Sequence, residues 1–483
     1  MSRRIRIDPV TRLEGAGRIQ IHLDASGRVA RARFQVVDFK GFETFCRGRA
    51  AEEMPALTQK ICGVCPTAHH LASVRALDRV FAVEPPPAAR RIRDLAYHGF
   101  LLEDHLLHFL VLAGPDFLSK AGERGLTGAL KGPAGPVVRR LLRVRERVRG
   151  LAVLTSGSAL YPVFGVPGGV TRPVGKGDLL RIRKVSEEAV EGAQEALALF
   201  RDRVLPHPLF AEMLDADRLA PRTHYMGLVD GDGRLSVTGG DVRVVGPEGD
   251  VHLQFDAEAY PEHLEERAVS WSYMKPVYLR ALGWHGYTDG PRSGVYRVGP
   301  LARLNASDGP VTPLAGAEAE RMFARLGGRP AHQTMAYHWA RLIEALFAAE
   351  RMKELAESKD LIDPCVRAFP VRPGGEGTGV CEAPRGTLFH RYRVNDEGVL
   401  EDVDLVVATQ HNAAAVCMAV EAEARAAVGN RGEMTEEDAN RVEAAFRAYD
   451  PCLACAAHAV EGEGSASDGV RVCRAGEGMA SKD

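Results

Sequence analysis

The chain has 483 residues, 45% hydrophobic and 26% charged, so it is long enough to bury a deep core and has an ordinary globular composition. Its formal net charge of −2 and the lack of a long basic run argue against nucleic acid as a partner. No window approaches about 18 uninterrupted apolar residues and no apolar signal segment follows Met1, so we expect a cytoplasmic protein without a direct membrane span.

The first half of the chain predicts one hairpin followed by helices. Apolar and polar residues alternate in residues 5–40 around a polar turn at 24–27, which is typical of paired strands. Apolar residues then recur at helical spacing in 41–81, with a break at a cysteine pair, and in 90–111, 136–156 and 177–204.

The second half changes character twice. Residues 222–300 contain glycine-rich turns and short β-type runs, which predict a small sheet-rich insertion. Helical periodicity returns at 314–357, a loop spans 372–379, a second hairpin covers about 380–409, and two helices end at Asp450. The predicted fold class is α+β and predominantly helical, a long-helix bundle with N-terminal and C-terminal β-hairpins.

Two cysteine pairs lie near opposite ends of the chain. Cys62 and Cys65 form one Cys-x-x-Cys, Cys452 and Cys455 form the other, and a histidine follows each within four residues. Four such thiolates favour a thiophilic metal such as zinc, iron or nickel. Local zinc sites have about 15–20 residues between their pairs, whereas here almost the whole chain intervenes. The spacing favours a catalytic centre inside a completed fold; a structural zinc site with an unrelated thiol pair is the alternative.

Further motifs reveal a family resemblance. The cysteine pairs, together with Arg12-Leu13-Glu14-Gly15, Gly41-Phe42-Glu43, Glu382-Ala383-Pro384-Arg385-Gly386 and Asp450-Pro451-Cys452, resemble the large subunit of nickel–iron hydrogenases over residues 5–458. The resemblance is closest to the cytoplasmic multi-subunit branch that uses soluble electron carriers. It implies one catalytic domain at 1–458 that reversibly splits dihydrogen into protons and electrons, and a C-terminal extension, 459–483, removed on maturation.

The resemblance also implies roles for individual residues. Cys62 and Cys452 match terminal nickel ligands, and Cys65 and Cys455 match thiolates that bridge nickel to an iron carrying carbon monoxide and cyanide. Around this centre the matching residues are Arg385 over the open metal face, Asp116 and Asp450 holding that arginine, Pro384 and Thr409 near the cyanides, and His69 bonded to a bridging sulfur.

Proton transfer and a second metal follow from the same resemblance. The proton would pass from Cys452 to Glu14, although Ala16 stands where the family often has a histidine near this path. A magnesium ion would be bound by Glu43, the carbonyl of Leu388 and His458.

The resemblance implies partners as well. No set of cysteines remains to bind the clusters of an electron-transfer chain, so an iron–sulfur small subunit and further electron-transfer subunits are expected. The sequence does not distinguish among nicotinamide, deazaflavin and disulfide-reducing partners as the electron carrier. A maturation endopeptidase and nickel-insertion proteins are expected too. The alternatives are a hydrogen sensor, a subunit like the quinone-pocket subunit of respiratory complex I, and a zinc-stabilised scaffold.

Overall fold

The computed structural model describes residues 4–120 and 122–457. The helices in these residues are α1 (Phe42–Cys46), α2 (Met54–Leu57), α3 (Pro66–Val80), α4 (Pro87–Leu107), α5 (Pro115–Leu118), α6 (Leu126–Lys131), α7 (Gly135–Arg149), α8 (Ala152–Ser156), α9 (Lys176–Leu199), α10 (Pro208–Asp215), α11 (Tyr260–His263), α12 (Pro300–Ala306), α13 (Pro313–Leu326), α14 (Ala336–Glu357), α15 (Ala408–His411), α16 (Ala413–Val428), α17 (Glu436–Ala448) and α18 (Leu453–Ala456). The π-helical segments His108–Ala113 and Phe200–Val204 extend α4 and α9.

The strands form small sheets around these helices. They are β1 (Arg4–Ile7), β2 (Gly17–Leu23), β3 (Val29–Val36), β4 (Gly165–Val166), β5 (Gly169–Val170), β6 (His224–Val229), β7 (Asp241–Val245), β8 (Val251–Phe255), β9 (Leu264–Glu266), β10 (Val277–Leu279), β11 (Tyr296–Arg297), β12 (Gly375–Ala383), β13 (Gly386–Val394) and β14 (Leu400–Val406). The orders are β1-β2-β3, β12-β13-β14, β11-β6-β7-β8 and the pairs β4-β5 and β9-β10. The predicted α+β class is confirmed, as are the strands of 222–300. The predicted N-terminal hairpin is β2-β3, and β1 adds a third strand to it.

The long helices form the centre of the protein. Helix α14 packs against both α4 and α9, and it is buried on nearly all sides. A helix surrounded in this way is apolar around its whole circumference except where polar side chains find buried partners. Two of its polar residues, Arg341 and Glu344, are only 1% exposed. Within the described residues, no helix combines the length and apolar character needed to cross a membrane.

The second hairpin differs from the prediction. It is a three-stranded antiparallel sheet, and its first strand begins at Gly375, so the predicted loop at 375–379 is wrong. The glycines were misleading because their role is close packing rather than turning. A Cβ at Gly379 would lie 1.9 Å from the carbonyl oxygen of Ala72, and one at Gly377 would lie 2.7 Å from that of Ala76. Strand β12 can therefore lie directly on the backbone of α3.

Candidate metal centre

The four cysteines of the two pairs meet in the interior. Cys62 and Cys65 occupy the turn before α3, while Cys452 and Cys455 lie at α18. The sulfur atoms are 3.3 Å apart for Cys62–Cys452, 3.2 Å for Cys65–Cys455 and 3.1 Å for Cys452–Cys455. All four ligand atoms lie within 4.8 Å of one another, and no cysteine of the four is more than 6% exposed. The structure thus brings two segments that lie 390 residues apart in sequence together at one thiol cluster.

The chemistry of this cluster fits a metal centre. Burial raises the pKa of Cys452 and Cys455 well above the ordinary value, whereas the hydrogen bond to Cys452 lowers the pKa of Cys62. The thiols therefore share negative charge unequally, because four thiolates at this spacing repel one another in a dry interior. A bound cation removes that repulsion and allows every sulfur to ionise. The donor set fits the nickel–iron pair that the family resemblance implies.

Backbone geometry at the C-terminal end aims the second cysteine pair. Asp450 has a left-handed backbone with φ of 53°, a conformation that aspartate tolerates better than most residues. After this turn Cys452 forms a β-bridge with Glu14, and the amide of Leu453 donates to the Glu14 carbonyl at 2.8 Å. The amide of Cys452 donates to the Thr409 hydroxyl at 3.0 Å. These contacts fix the cysteine against two segments that are remote in sequence.

Arg385 lies in the turn between β12 and β13 and is 2% exposed. Its Nη1 is 3.2 Å from Oδ2 of Asp104, its Nη2 is 3.0 Å from Oδ2 of Asp450, and its Nε donates to the Asp450 carbonyl at 2.9 Å. Burial works against the cation, but the two carboxylates raise the pKa of Arg385 well above its ordinary value. The guanidinium is therefore a fixed positive charge beside the sulfurs, with which it shares a small cavity.

The prediction that Asp116 holds Arg385 is wrong. Asp116 lies beyond the π-helical segment, on α5, where it pairs with Arg12 and, at 2.9 Å, with Arg447. Asp104, on α4, takes the predicted place. Both aspartates belong to one helical stretch of the sequence, and a motif match in sequence does not distinguish which of them faces the arginine. Asp116 instead supports the segments that lead into Glu14 and Asp450.

Glu14 is in contact with the cluster. Its Oε2 is 3.2 Å from the sulfur of Cys452 and accepts a hydrogen bond from the amide of Ala454, also at 3.2 Å. Burial and the nearby Cys62 thiolate raise the pKa of Glu14. A carboxylate with a raised pKa next to a thiol can exchange a proton with it.

A chain of two histidines and a tyrosine extends from Cys455. Nε2 of His69 lies 3.3 Å from the sulfur of Cys455, and its Nδ1 lies 3.1 Å from Nε2 of His390. His390 is in turn 2.7 Å from the hydroxyl of Tyr392. His390 was not predicted from the sequence, although its two-residue spacing from Tyr392 on a strand places both on one face.

A small cavity lies next to the sulfurs of Cys65, Cys452 and Cys455. Besides the cysteines, its polar lining residues are His69, Arg385 and Thr409, and the rest of its wall is apolar, formed by Ala68, Ala383, Leu388, Val407 and Ala408. Pro384 lies in the same turn as Arg385. The arrangement provides a dry space next to the thiols with one fixed cation at its edge.

The predicted magnesium ligands are only partly within the described residues. Glu43 lies on α1 and lines a polar cavity of about 240 Å³ with Glu266, Lys275 and Asp404, among others. Leu388 lies on β13, opposite Cys381. His458 and the extension 459–483 lie outside the described residues.

Comparison with known proteins identifies the family. A family model described as nickel-dependent hydrogenase matches residues 40–122 and 278–458, more than half of the chain, and one described as HoxL-like matches residues 4–39. An F420-non-reducing hydrogenase iron-sulfur subunit of Archaeoglobus profundus is 39% identical over 464 residues, covering 95% of both chains. The beta subunit of the NAD-reducing hydrogenase HoxS of Cupriavidus necator is 35% identical over 479 residues, covering 95% of this chain and 96% of the relative.

Solved structures agree. A crystal structure of an NAD+-reducing NiFe-hydrogenase in the H2-reduced state matches with a TM-score of 0.87 and 36% identity, covering 94% of this chain and 99% of the other. The Ni-Fe-Se hydrogenase from D. vulgaris Hildenborough matches with a TM-score of 0.71 at 24% identity, covering 95% and 100%, which shows a shared fold. With its buried cluster of four cysteines, the chain belongs to the nickel-dependent hydrogenases and is the catalytic large subunit of a nickel–iron hydrogenase.

Proposed function

We propose that this subunit splits dihydrogen at a nickel–iron pair held by Cys62, Cys65, Cys452 and Cys455, and that the electrons leave through an iron–sulfur small subunit to a soluble carrier. The observation that carries the proposal is the convergence of four buried thiols from opposite ends of the chain, all within 4.8 Å. When bound, the metal pair supplies the site at which the H–H bond breaks heterolytically.

Arg385 is the proposed electrostatic partner of that centre. Its guanidinium is held at the cavity edge by Asp104 and Asp450. A fixed cation in a dry site stabilises developing negative charge without reorganisation of solvent. As the family resemblance implies, the iron would carry one carbon monoxide and two cyanides, with Pro384 and Thr409 near the cyanides. Thr409 lines the small cavity beside the sulfurs, and Pro384 precedes Arg385 in the turn between β12 and β13.

The proposed proton exit begins at the sulfur of Cys452. The 3.2 Å contact with Oε2 of Glu14 allows the proton to move directly between the two side chains. The amide of Ala454 holds that same oxygen, so the carboxylate stays within reach of the sulfur. Glu14 then passes the proton towards solvent.

Electron transfer requires a partner. In residues 4–120 and 122–457, the four-cysteine cluster is the only group of three or more metal-binding side chains in close proximity. We therefore propose an iron–sulfur small subunit beside this chain and further electron-transfer subunits beyond it. Nicotinamide is the carrier to test first, because one relative is named as an NAD-reducing enzyme and another as F420-non-reducing. Those names favour an enzyme over a hydrogen sensor.

The remaining proposals concern assembly. A magnesium ion bound by Glu43, the carbonyl of Leu388 and His458 would tie the N-terminal part of a single domain, 1–458, to its C-terminal end. A maturation endopeptidase would cut after His458 once nickel-insertion proteins have loaded the centre, releasing 459–483. We propose a cytoplasmic location for the assembled enzyme.

The decisive experiment is metal analysis of protein purified from its native host, combined with infrared spectra of the same sample. We expect about one nickel and one iron per chain, and three sharp bands from metal-bound carbon monoxide and cyanide. Mass spectrometry of that sample should show a chain ending at His458. Zinc without diatomic bands in a chain that has lost 459–483 would refute the proposal.

A further inference from the structure

Buried side chains hold the turn that carries Arg385. Residues 384 and 385 connect β12 to β13, and the carbonyl groups of four consecutive residues, 382 to 385, each accept a hydrogen bond from a buried side chain. Tyr97 donates to the carbonyl of residue 382 at 2.7 Å, and Asn412 donates to that of residue 385 at 3.4 Å. The two carbonyls between them are bound by Arg303.

Arg303 makes the central contacts. Its Nη2 donates to the carbonyl of Ala383 at 2.5 Å and to that of Pro384 at 3.2 Å. The other side of the guanidinium is fixed by two carboxylates, since Nη1 is 2.7 Å from Oε1 of Glu344 and Nε is 3.1 Å from Oε2 of Glu382. All three side chains are at most 1% exposed. Glu344 and Glu382 thus hold the guanidinium in place and aim its remaining face at the turn.

The anchor of this arginine is part of the core. Glu344 lies on α14, the helix that packs against α4, and its Oε2 is 2.6 Å from Nε2 of His105. His105 directly follows Asp104, the carboxylate that holds Arg385. One network of α4, α12 and α14 therefore fixes both the guanidinium of Arg385 and the backbone from which it extends.

We propose that Arg303 is a positioning residue for dihydrogen cleavage: it fixes the Pro384–Arg385 turn so that the Arg385 guanidinium stays beside the metal pair. The inference rests on the proposed role of Arg385. Only a planar fork of donors reaches two successive carbonyls and two carboxylates at once; the point charge of lysine cannot do so. A turn released from this contact can shift, and a misplacement of about 1 Å at a reacting centre can cost about a hundredfold in rate.

The test compares Arg303→Lys with Arg297→Lys in holoenzyme purified from the native host. Arg297 is a matched control because it is also 0% exposed and also binds backbone carbonyls, those of Pro221 and His332, but none in the turn. Glu344→Gln is a milder second variant, since it keeps the shape of the anchor and removes its charge. The measurements are nickel content, kcat and KM for dihydrogen oxidation, and the infrared bands of the diatomic ligands.

We expect Arg303→Lys to retain nickel, to lower kcat by about tenfold or more with little change in KM, and to shift the cyanide bands. Glu344→Gln should shift the same bands by less, and Arg297→Lys should leave them in place. The inference would be overturned if the infrared bands and kcat of Arg303→Lys matched those of Arg297→Lys. It would also be overturned if Arg303→Lys alone lost nickel, because that loss would indicate a role in assembly. Diatomic bands missing from the wild type as well would refute the proposed cofactor and the inference with it.

Discussion

Replacing Gly379 by alanine should force apart strand β12, which leads to Arg385, and helix α3, which follows Cys65. The new Cβ would lie 1.9 Å from the carbonyl oxygen of Ala72 and 2.4 Å from the amide nitrogen of Ala76. Both are backbone atoms of α3, so no side chain can rotate away to make room.

The size of the effect follows from that geometry. Ordinary contact of a Cβ begins at 3.4 Å, so a contact at 1.9 Å requires the strand to retreat by about 1.5 Å. Forcing extra atoms into a packed interior costs typically about 1–3 kcal/mol, and a clash with backbone should lie at the upper end or beyond. A shift of this size also moves the Arg385 turn relative to the sulfurs, for which we expect a loss of about a hundredfold in turnover.

The assay is thermal unfolding by circular dichroism together with dihydrogen-dependent dye reduction and nickel content. Gly177→Ala is the matched control, because this residue in the first turn of α9 has no heavy atom within 4 Å of the place its new methyl group would take and needs no unusual φ. We expect a lower melting temperature and reduced turnover for Gly379→Ala only. If Gly379→Ala had the same melting temperature as Gly177→Ala and kept full activity, the close approach of β12 to α3 would be refuted.

Three further predictions concern charge at and near the centre. Glu14→Gln keeps the oxygen that accepts from the backbone but removes the proton acceptor, so turnover should fall by at least about 100-fold with an unchanged melting temperature; an unchanged rate would place the proton exit elsewhere. Asp104→Asn leaves Arg385 with one carboxylate, so it should shift the infrared bands and lower kcat. Asp116→Asn, at a side chain that is equally buried, should lower the melting temperature without moving the bands. A band shift in Asp116→Asn and none in Asp104→Asn would contradict the assignment of Asp104. Burial lowers the pKa of His70 to about 4 from 6.5. As the pH falls, the unfolded chain therefore binds the proton before the folded chain does. The free energy of unfolding should fall between about pH 6.5 and pH 4, by roughly 3 kcal/mol for this group. His70→Gln should flatten that part of the melting-temperature profile, and a profile identical to wild type would mean that His70 is not buried as a neutral ring.

Periodicity predicted the elements of the fold better than their sheet arrangement. Helices such as α4 and α14 were found because apolar side chains recur along one face or around the whole helix. The first five residues of strand β12, 375–379, were predicted as a loop because glycines are typical of loops in sequence, and only the neighbouring backbone of α3 explains them. Residues 380–409 were predicted as one hairpin, but they contain β13, β14 and the end of β12. The number of paired strands was not predicted because a strand's partners depend on the rest of the sheet and not on its own residues.

The chemistry of the centre was set by the sequence, since two Cys-x-x-Cys pairs with adjacent histidines already specify soft ligands for a metal. What the sequence could not decide was which buried acid faces which buried base. Asp104 and Asp116 have the same side chain and lie in one helical stretch, yet one holds Arg385 and the other holds Arg12 and Arg447. The same is true of Arg303, whose role depends on carbonyl groups some eighty residues away. Ligand type is a property of a side chain, but the partner of a buried charge depends on where the folded backbone places it, and only the tertiary structure determines that.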